Sequence, residues 1–300
     1  MTREPLAPEF IAAARHLRQL ADAAAMLTMS NPVTTAATGV AGRDLADRTF
    51  DDAWGDGTVE LAAEVGPRVA SVVDHLHSMS AVTLAPQTSF SLASLARPVL
   101  EGLGALYWLY DPTVDVRERV RRRYNLRLLS LAEQHILAET LSSAARDEVA
   151  QKIFAIKASA RRLGFEFRPQ GRARPGVPPL FSLDEPVPRD QRLISDVMND
   201  GGGLERFGPL FHRLTSAVSH AQPHGLLPFI LRTEASAEQH VASAQVGLTF
   251  AWYIKLTGGP VMALNTTMLR IAAYFGWDRE TWDRAGQPAI VDWRDWLLKT

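Results

Sequence analysis

Apolar residues recur at intervals of three and four along almost the whole chain, and this spacing is the feature that most restricts the fold. Such intervals place apolar side chains on one face of an α-helix, whereas a half-buried strand needs a period of two. No segment keeps a period of two with β-branched enrichment, so the sequence predicts an all-α protein. The predicted helices span residues 7–28, 42–53, 58–84, 89–110, 113–141, 144–163, 189–198, 203–221, 236–257, 260–275 and 289–298.

Residues that break helices divide this pattern. Asp111-Pro112, Gly164 and Gly258-Gly259-Pro260 are predicted to end three of the helices. The longest irregular segment is the proline-rich stretch 164–188, and loops of this length are typically lids or binding loops. We therefore predict a large helical bundle, with residues 1–57 as an N-terminal helical extension and 58–300 as the main body.

Composition excludes several classes of function. The net charge of −1 argues against nucleic-acid binding through the overall field, so any basic patch must be local. Cysteine is absent, which excludes disulfides, thiolate metal sites and cysteine nucleophiles. The N-terminus lacks the basic start and unbroken apolar run of a signal peptide, and no apolar stretch is long enough to span a membrane. A cytoplasmic protein without membrane association is expected.

The stretch "HRLTSAVSHAQPHG", residues 212–225, contains the first candidate site. On a helix, Arg213, Ser216 and His220 align along the flank of an apolar face. Arg213 and His220 lie two turns apart, about 10 Å along the axis. An arginine beside a histidine suits an anion such as phosphate, but the same side chains could instead satisfy neighbouring helix carbonyls in the core.

A second polar pair lies in "SLARPVLEGLGALYWLYD". Arg97 and Glu101 are one helical turn apart among leucines, so they form an intrahelical salt bridge or are buried as a pair. A functional interpretation is that Glu101 orients His220 or Arg213 from an adjacent helix, as the orienting group of a catalytic site does.

The run "VRERVRRRYNLR" places arginines on one stripe of a helix. Arg119 and Arg123 are four residues apart, and Arg122 lies beside them. A stripe of this kind can follow a phosphate backbone, although a charge run on a helix is more often a solvated face.

Neither a metal nor a cofactor is expected from the sequence. Asp74 and His77 share a helix face in "DHLH", but His75 does not. His220 and His224 have a chelating interval, yet Pro223 between them disturbs the helix. No glycine loop follows a strand, which excludes P-loop and Rossmann nucleotide binding.

Four segments of the sequence, taken together, resemble a group of uncharacterised all-helical bacterial proteins with a HEPN-like fold. They are the helix of Arg97 and Glu101, the arginine-rich helix after it, "FHRLTSAVSHAQPHGL" and "AAYFGW". The resemblance covers roughly residues 70–282, and its most specific part is the series Phe211, Ser216 and His220. Arg213 and His220 also fit the Arg-x(4–6)-His signature of HEPN ribonucleases.

The resemblance implies a metal-independent endoribonuclease or an RNA-directed toxin or defence protein, usually a homodimer. In that family the histidine transfers the proton of the ribose 2′-hydroxyl and the arginine stabilises charge on the phosphate. His220 and Arg213 would then be catalytic, with Ser216 and Glu101 in support. Arg97, Arg119, Arg122 and Arg123 would bind RNA.

Two other hypotheses stay open. The chain could be a non-catalytic helical sensor or interaction protein in which the same residues are structural, or a small-molecule enzyme with an apolar pocket between helices. Ribonuclease action requires Arg213 and His220 to be exposed and continuous with the arginine stripe. A structural role would bury both, and a small-molecule enzyme would direct Glu101 and His220 into an enclosed cavity.

Overall fold

The structure is a computed structural model that describes residues 7–31, 43–55, 57–85, 90–170, 180–201, 207–236 and 241–299. Helices make up most of these residues, so the predicted all-α class is confirmed. The helices are α1 (Pro8–Ser30), α2 (Arg43–Trp54), α3 (Gly57–Ala63), α4 (Val65–Thr83), α5 (Phe90–Leu109), α6 (Val116–Leu141), α7 (Ser143–Arg162), α8 (Asp190–Asp200), α9 (Phe207–Ser219), α10 (Pro223–Leu226), α11 (Phe250–Phe275), α12 (Glu280–Ala285) and α13 (Gln287–Lys299).

Two short antiparallel hairpins interrupt the helices. They pair β1 (Phe167–Pro169) with β2 (Phe181–Leu183), and β3 (Ile230–Ser236) with β4 (Val241–Val246). The prediction of a helix over 236–257 is therefore wrong in its first half. Thr249 starts α11 instead, because its hydroxyl accepts a hydrogen bond from the Trp252 N–H at 3.3 Å.

The expected break at Gly258-Gly259-Pro260 is also wrong, since α11 runs through it. Pro260 removes one backbone hydrogen bond, but the glycines allow close packing that a β-carbon would obstruct. A β-carbon on Gly258 would lie 3.0 Å from Leu297 of α13, and one on Gly259 would lie 3.1 Å from Phe211 of α9. Tertiary packing around the two glycines outweighs their local preference. By contrast, Gly164 ends α7 as predicted, with φ of +67°.

The main apolar core joins α1, α4, α5, α8, α9, α11 and α13. Helix α1 is integral to it, because Leu17, Leu20 and Leu27 are fully buried and the Ser80 hydroxyl of α4 donates to the Ala14 carbonyl at 2.7 Å. Helix α1 therefore packs into the same apolar core as α4.

A second, smaller apolar cluster joins α2, α6, α7 and the β1–β2 hairpin. Segment 164–188 is attached to this cluster through Asn125 of α6. The Asn125 amide donates to the Glu185 carbonyl at 2.7 Å and accepts from the Leu183 N–H at 2.7 Å. The described ends of the segment are thus fixed to α6, while residues 171–179 lie outside the described part. None of the described helices is long and apolar enough to cross a membrane.

Candidate functional site

The arginine stripe of α6 does not form an exposed surface. Arg119 is 3% exposed, and its guanidinium donates to both carboxylate oxygens of Asp47 at 2.7 and 3.2 Å and to the Tyr274 hydroxyl at 3.1 Å. Burial lowers the pKa of Arg119, but the interactions with Tyr274 and Asp47 raise it on balance. Arg119 therefore joins α6 to α2 and α11 as an internal ion pair.

The other two arginines are paired in the same way. Arg122 donates to Glu118 at 2.7 Å and to the Trp108 carbonyl at 2.6 Å. Arg123 donates to Glu64 at 2.8 Å and to Glu60 at 2.5 Å. The expectation of an RNA-guiding stripe is thus wrong, because α2, α3, α4 and the end of α5 cover this face of α6 with carboxylates and carbonyls. Helical spacing alone cannot show which face a neighbouring helix covers.

Three of the predicted site residues meet at the α5–α9 contact. The Arg97 Nε donates to Glu101 Oε1 at 2.7 Å, and the Arg97 Nη1 donates to the Ser216 hydroxyl at 3.3 Å. All three side chains are half-buried. Arg97 lies between the Glu101 carboxylate on its own helix, α5, and the Ser216 hydroxyl on the neighbouring helix, α9. Glu101 therefore holds Arg97, and the predicted contact of Glu101 with His220 or Arg213 is not formed.

Arg213 and His220 are exposed on either side of Ser216. Arg213 lies within α9, whereas His220 lies just past its end, where its N–H still donates to the Ser216 carbonyl at 3.0 Å. The chain then turns through Ala221, whose φ is +51°, and the Gln222 N–H closes the helix end on the Ala217 carbonyl at 2.8 Å. This turn sets the position of His220 directly after the end of α9.

Helices α8 and α9 each add one site residue that the sequence prediction missed. Asp190, the first residue of α8, and His212 of α9 lie close to Glu101, with one ligand atom of each within 4.8 Å of the others. Gly208 accounts for the close approach of the two helices, since a β-carbon there would lie 2.6 Å from the Ser195 backbone. His212 precedes Ser216 by four residues, which was a usable signal, but nothing in the sequence relates Asp190 to either.

Gly104 plays the corresponding part where α5 meets α8. A β-carbon at this position would lie 3.0 Å from the Leu193 backbone. Glu101 precedes Gly104 by three residues, and Asp190 precedes Leu193 by three, so the contact brings the two carboxylates to one level of the bundle. Small residues at the two helix contacts therefore assemble the polar cluster.

A largely apolar cavity lies on a different surface. It measures about 520 Å³ and is bounded by α9, α11 and α13, with Leu210, Leu214, Trp252 and Met262 among its lining. Neither Glu101 nor His220 lines it, and the described ends of segment 164–188 contact α6 instead. The hypothesis of a small-molecule enzyme required Glu101 and His220 to point into an enclosed cavity. This cavity does not have that geometry.

A separate polar cluster surrounds Arg270 of α11. Arg270 lies 2.6 Å from Asp111 and stacks on the Tyr107 ring at 3.8 Å. Burial, as the larger cause, and a hydrogen bond to the Asp200 carboxylate together raise the pKa of Tyr107 to about 12. These groups join α5, α8 and α11 through internal pairing, and a stabilising role accounts for them.

Comparisons with models of protein families, with curated proteins and with solved structures find no match to this chain.

Proposed function

We propose that the protein cleaves RNA without a metal, at the surface where α9 meets α5. The observation that carries this proposal is the Arg97 bridge between Glu101 and Ser216, with exposed Arg213 on the same helix as Ser216 and exposed His220 directly after the end of that helix. A buried, fully paired trio would favour a structural role. Exposed Arg213 and His220, each within four residues of the Ser216 that the Arg97 guanidinium contacts, favour contact with an anionic substrate.

In the proposed reaction, His220 accepts the proton of a ribose 2′-hydroxyl. The 2′-oxygen forms a bond to phosphorus, and the bond from phosphorus to the 5′-oxygen breaks, so that the leaving oxygen takes a proton from the histidine or from water. Arg213 stabilises the negative charge that develops on the phosphate oxygens. The products are a 2′,3′-cyclic phosphate and a free 5′-hydroxyl.

Arg97, Glu101 and Ser216 are proposed as positioning residues. Glu101 fixes the guanidinium of Arg97, and Arg97 fixes the Ser216 hydroxyl one turn before His220. Arg97→Lys keeps the charge but cannot reproduce the planar fork, so we expect a lower cleavage rate with little change in KM. A purely structural role for Arg97 would lower the melting temperature and leave the rate of the folded fraction unchanged.

RNA contact in this proposal is local to the α5–α9 surface. Arg119, Arg122 and Arg123 are engaged with carboxylates, so they do not extend the binding surface. A weak salt dependence is expected from Arg97 and Arg213 alone, with a slope of about −1.4 in log affinity against log salt concentration for two contacts to single-stranded RNA.

A homodimer is proposed through the apolar edge of α9. Leu210 is 56% exposed, and Phe207, Trp252 and Leu298 are exposed around the same cavity. Exposed apolar residues that adjoin one another are typical of protein interfaces.

The cleavage proposal is tested on a mixed RNA pool in EDTA. We expect cleavage by the wild-type protein and loss of at least 100-fold in rate for His220→Ala and Arg213→Ala, as removal of a general base or an electrostatic stabiliser produces. His224→Ala, at an exposed histidine four residues later, is the matched control and should retain the wild-type rate. Equal activity of His220→Ala and His224→Ala, or no cleavage by the folded wild type, would refute the proposal.

The dimer proposal is tested by light scattering after size-exclusion chromatography. Leu210→Asp should convert a dimer to a monomer, because a carboxylate on the contact would be buried without a partner. Leu137→Asp makes the same change at a 64% exposed leucine of α6 and should leave the dimer intact. A monomeric wild type, or dissociation by Leu137→Asp instead, would contradict the proposed interface.

A further inference from the structure

We propose that Glu101, Asp190 and His212 bind a divalent transition-metal ion. The three residues come from α5, α8 and α9, and one ligand atom of each lies within 4.8 Å of the other two. The group combines one imidazole with two carboxylates, which distinguishes it from an accidental cluster of acidic residues on one loop.

The distances suit a metal after a small closing movement. Zinc binds imidazole nitrogen and carboxylate oxygen at about 2.0 to 2.2 Å, which places neighbouring ligand atoms about 3 to 4 Å apart. A separation of up to 4.8 Å therefore requires rotamer adjustments of less than an ångström at each side chain. The close helix contacts at Gly104 and Gly208 hold the backbones at the required separation.

Glu101 already has the supporting contact that a metal ligand needs. Arg97 Nε donates to Glu101 Oε1 at 2.7 Å, which leaves Oε2 available for the ion. Carboxylate ligands are commonly oriented by such hydrogen bonds, and loss of the supporting group typically weakens the metal by 10- to 100-fold. Ser216 in turn fixes Arg97, so the orientation of Glu101 depends on two helices.

The other two ligands are not engaged elsewhere within the described residues. Asp190 forms no ion pair there, and the His212 imidazole has no hydrogen-bond partner among those residues. Asp190 is exposed, while Glu101 and His212 are half-buried, so an ion can enter from solvent at the Asp190 side. Three protein ligands leave coordination positions open to water on that side.

The ligand chemistry selects a class of ion. Imidazole favours zinc and other first-row transition metals over calcium and magnesium, which take oxygen ligands. Two carboxylates also suit Mn²⁺, and no cysteine is present to favour softer metals. Mn²⁺ and Zn²⁺ are thus the expected occupants.

This site goes beyond the proposed RNA cleavage and does not depend on it. Cleavage is assayed in EDTA and rests on Arg213 and His220, whereas metal binding is assayed without RNA and rests on Asp190 and His212. Each proposal can therefore fail alone.

The test is equilibrium binding of Mn²⁺ to tag-free, chelator-treated full-length protein, followed by the electron paramagnetic resonance signal of the free ion. We expect one Mn²⁺ per chain, displaced by Zn²⁺, and at least tenfold weaker binding for Asp190→Asn and His212→Ala. The matched controls are Glu133→Gln, at an exposed carboxylate of α6, and His224→Ala, at an exposed histidine of α10. Both should bind Mn²⁺ within twofold of wild type.

Circular dichroism and thermal melting of each metal-free variant confirm that the fold is kept before binding is compared. Absence of saturable binding up to about 1 mM, the weak end of protein metal sites, would overturn the proposal. Binding by Asp190→Asn and His212→Ala equal to that of the two controls would overturn it as well, since the bound ion would then lie elsewhere.

Discussion

Replacement of Asp47 by asparagine tests the buried pair that joins α2 to α6. Asp47 and Arg119 have side chains only 9% and 3% exposed, with two guanidinium-to-carboxylate contacts. Asparagine keeps the shape but removes the charge, so Arg119 is left as a buried cation among uncharged acceptors: the remaining amide oxygen, the Tyr274 hydroxyl and the Asp115 carbonyl. Arginine cannot lose its proton to escape this cost.

The expected loss of unfolding free energy is about 3 to 5 kcal/mol, the range for removal of one partner from a buried ion pair. With a urea dependence of about 3 kcal/mol per molar, this loss lowers the unfolding midpoint by about 1 to 1.7 M. Urea unfolding followed by circular dichroism measures it directly. We expect the α2–α6–α7 cluster to lose structure first, because Asp47 lies on α2.

Glu280→Gln provides the control, because Glu280 pairs with Arg284 and the side chains are 68% and 74% exposed. Removal of an exposed pair should cost about 0 to 1 kcal/mol. The double variant Asp47→Leu with Arg119→Met should recover stability relative to Asp47→Asn, since it removes both charges. If Asp47→Asn falls within 1 kcal/mol of Glu280→Gln, the buried-pair reasoning is wrong.

Three further predictions concern stability, each measured by denaturation. Ala221→Gly should stabilise the protein by about 0.5 to 1 kcal/mol, because φ at this residue is +51°. Ala150→Gly, at an exposed position inside helix α7, should destabilise the protein by a similar amount. Gly208→Ala should cost about 1 to 3 kcal/mol through its clash with α8, while Gly66→Ala, with open space around it, should cost nothing. Burial lowers the pKa of His16 and outweighs the opposing effect of Asp292. As the pH drops below about 6.5, the histidine is protonated more readily in the unfolded chain than in the folded one, so the free energy of unfolding should fall. His16→Gln should flatten that decline relative to its own stability at pH 8, and an unchanged slope would contradict the assignment.

Part of the candidate site could be predicted from the sequence. The helical spacing of Arg97 and Glu101 predicted their salt bridge, and the spacing of Arg213 and Ser216 placed both on α9, whereas His220 lies just past the end of that helix. These are contacts within one helix, which the period of 3.6 residues fixes. The Arg97–Ser216 contact joins two helices that are 119 residues apart, and no local pattern encodes it.

The arginines of α6 show the limit most clearly. Their spacing correctly predicted that the arginines share one face of α6. The spacing alone does not show whether that face contacts solvent, RNA or carboxylates of neighbouring helices. Only the packing of α2, α3 and α4 against α6 decided the outcome, because Asp47, Glu60 and Glu64 supply the partners.

Local sequence signals were enough to predict the helical class and most helix bounds, since apolar periodicity and residues such as Pro112 and Gly164 act within a few residues of chain. The course of α11 through Gly258 and Gly259 depends instead on packing against side chains that are distant in the sequence. The tertiary structure also decided that Asp190 joins Glu101 and His212. The local spacing of residues determines which face of a helix each side chain occupies. The packing of separate helices determines which residues contact that face.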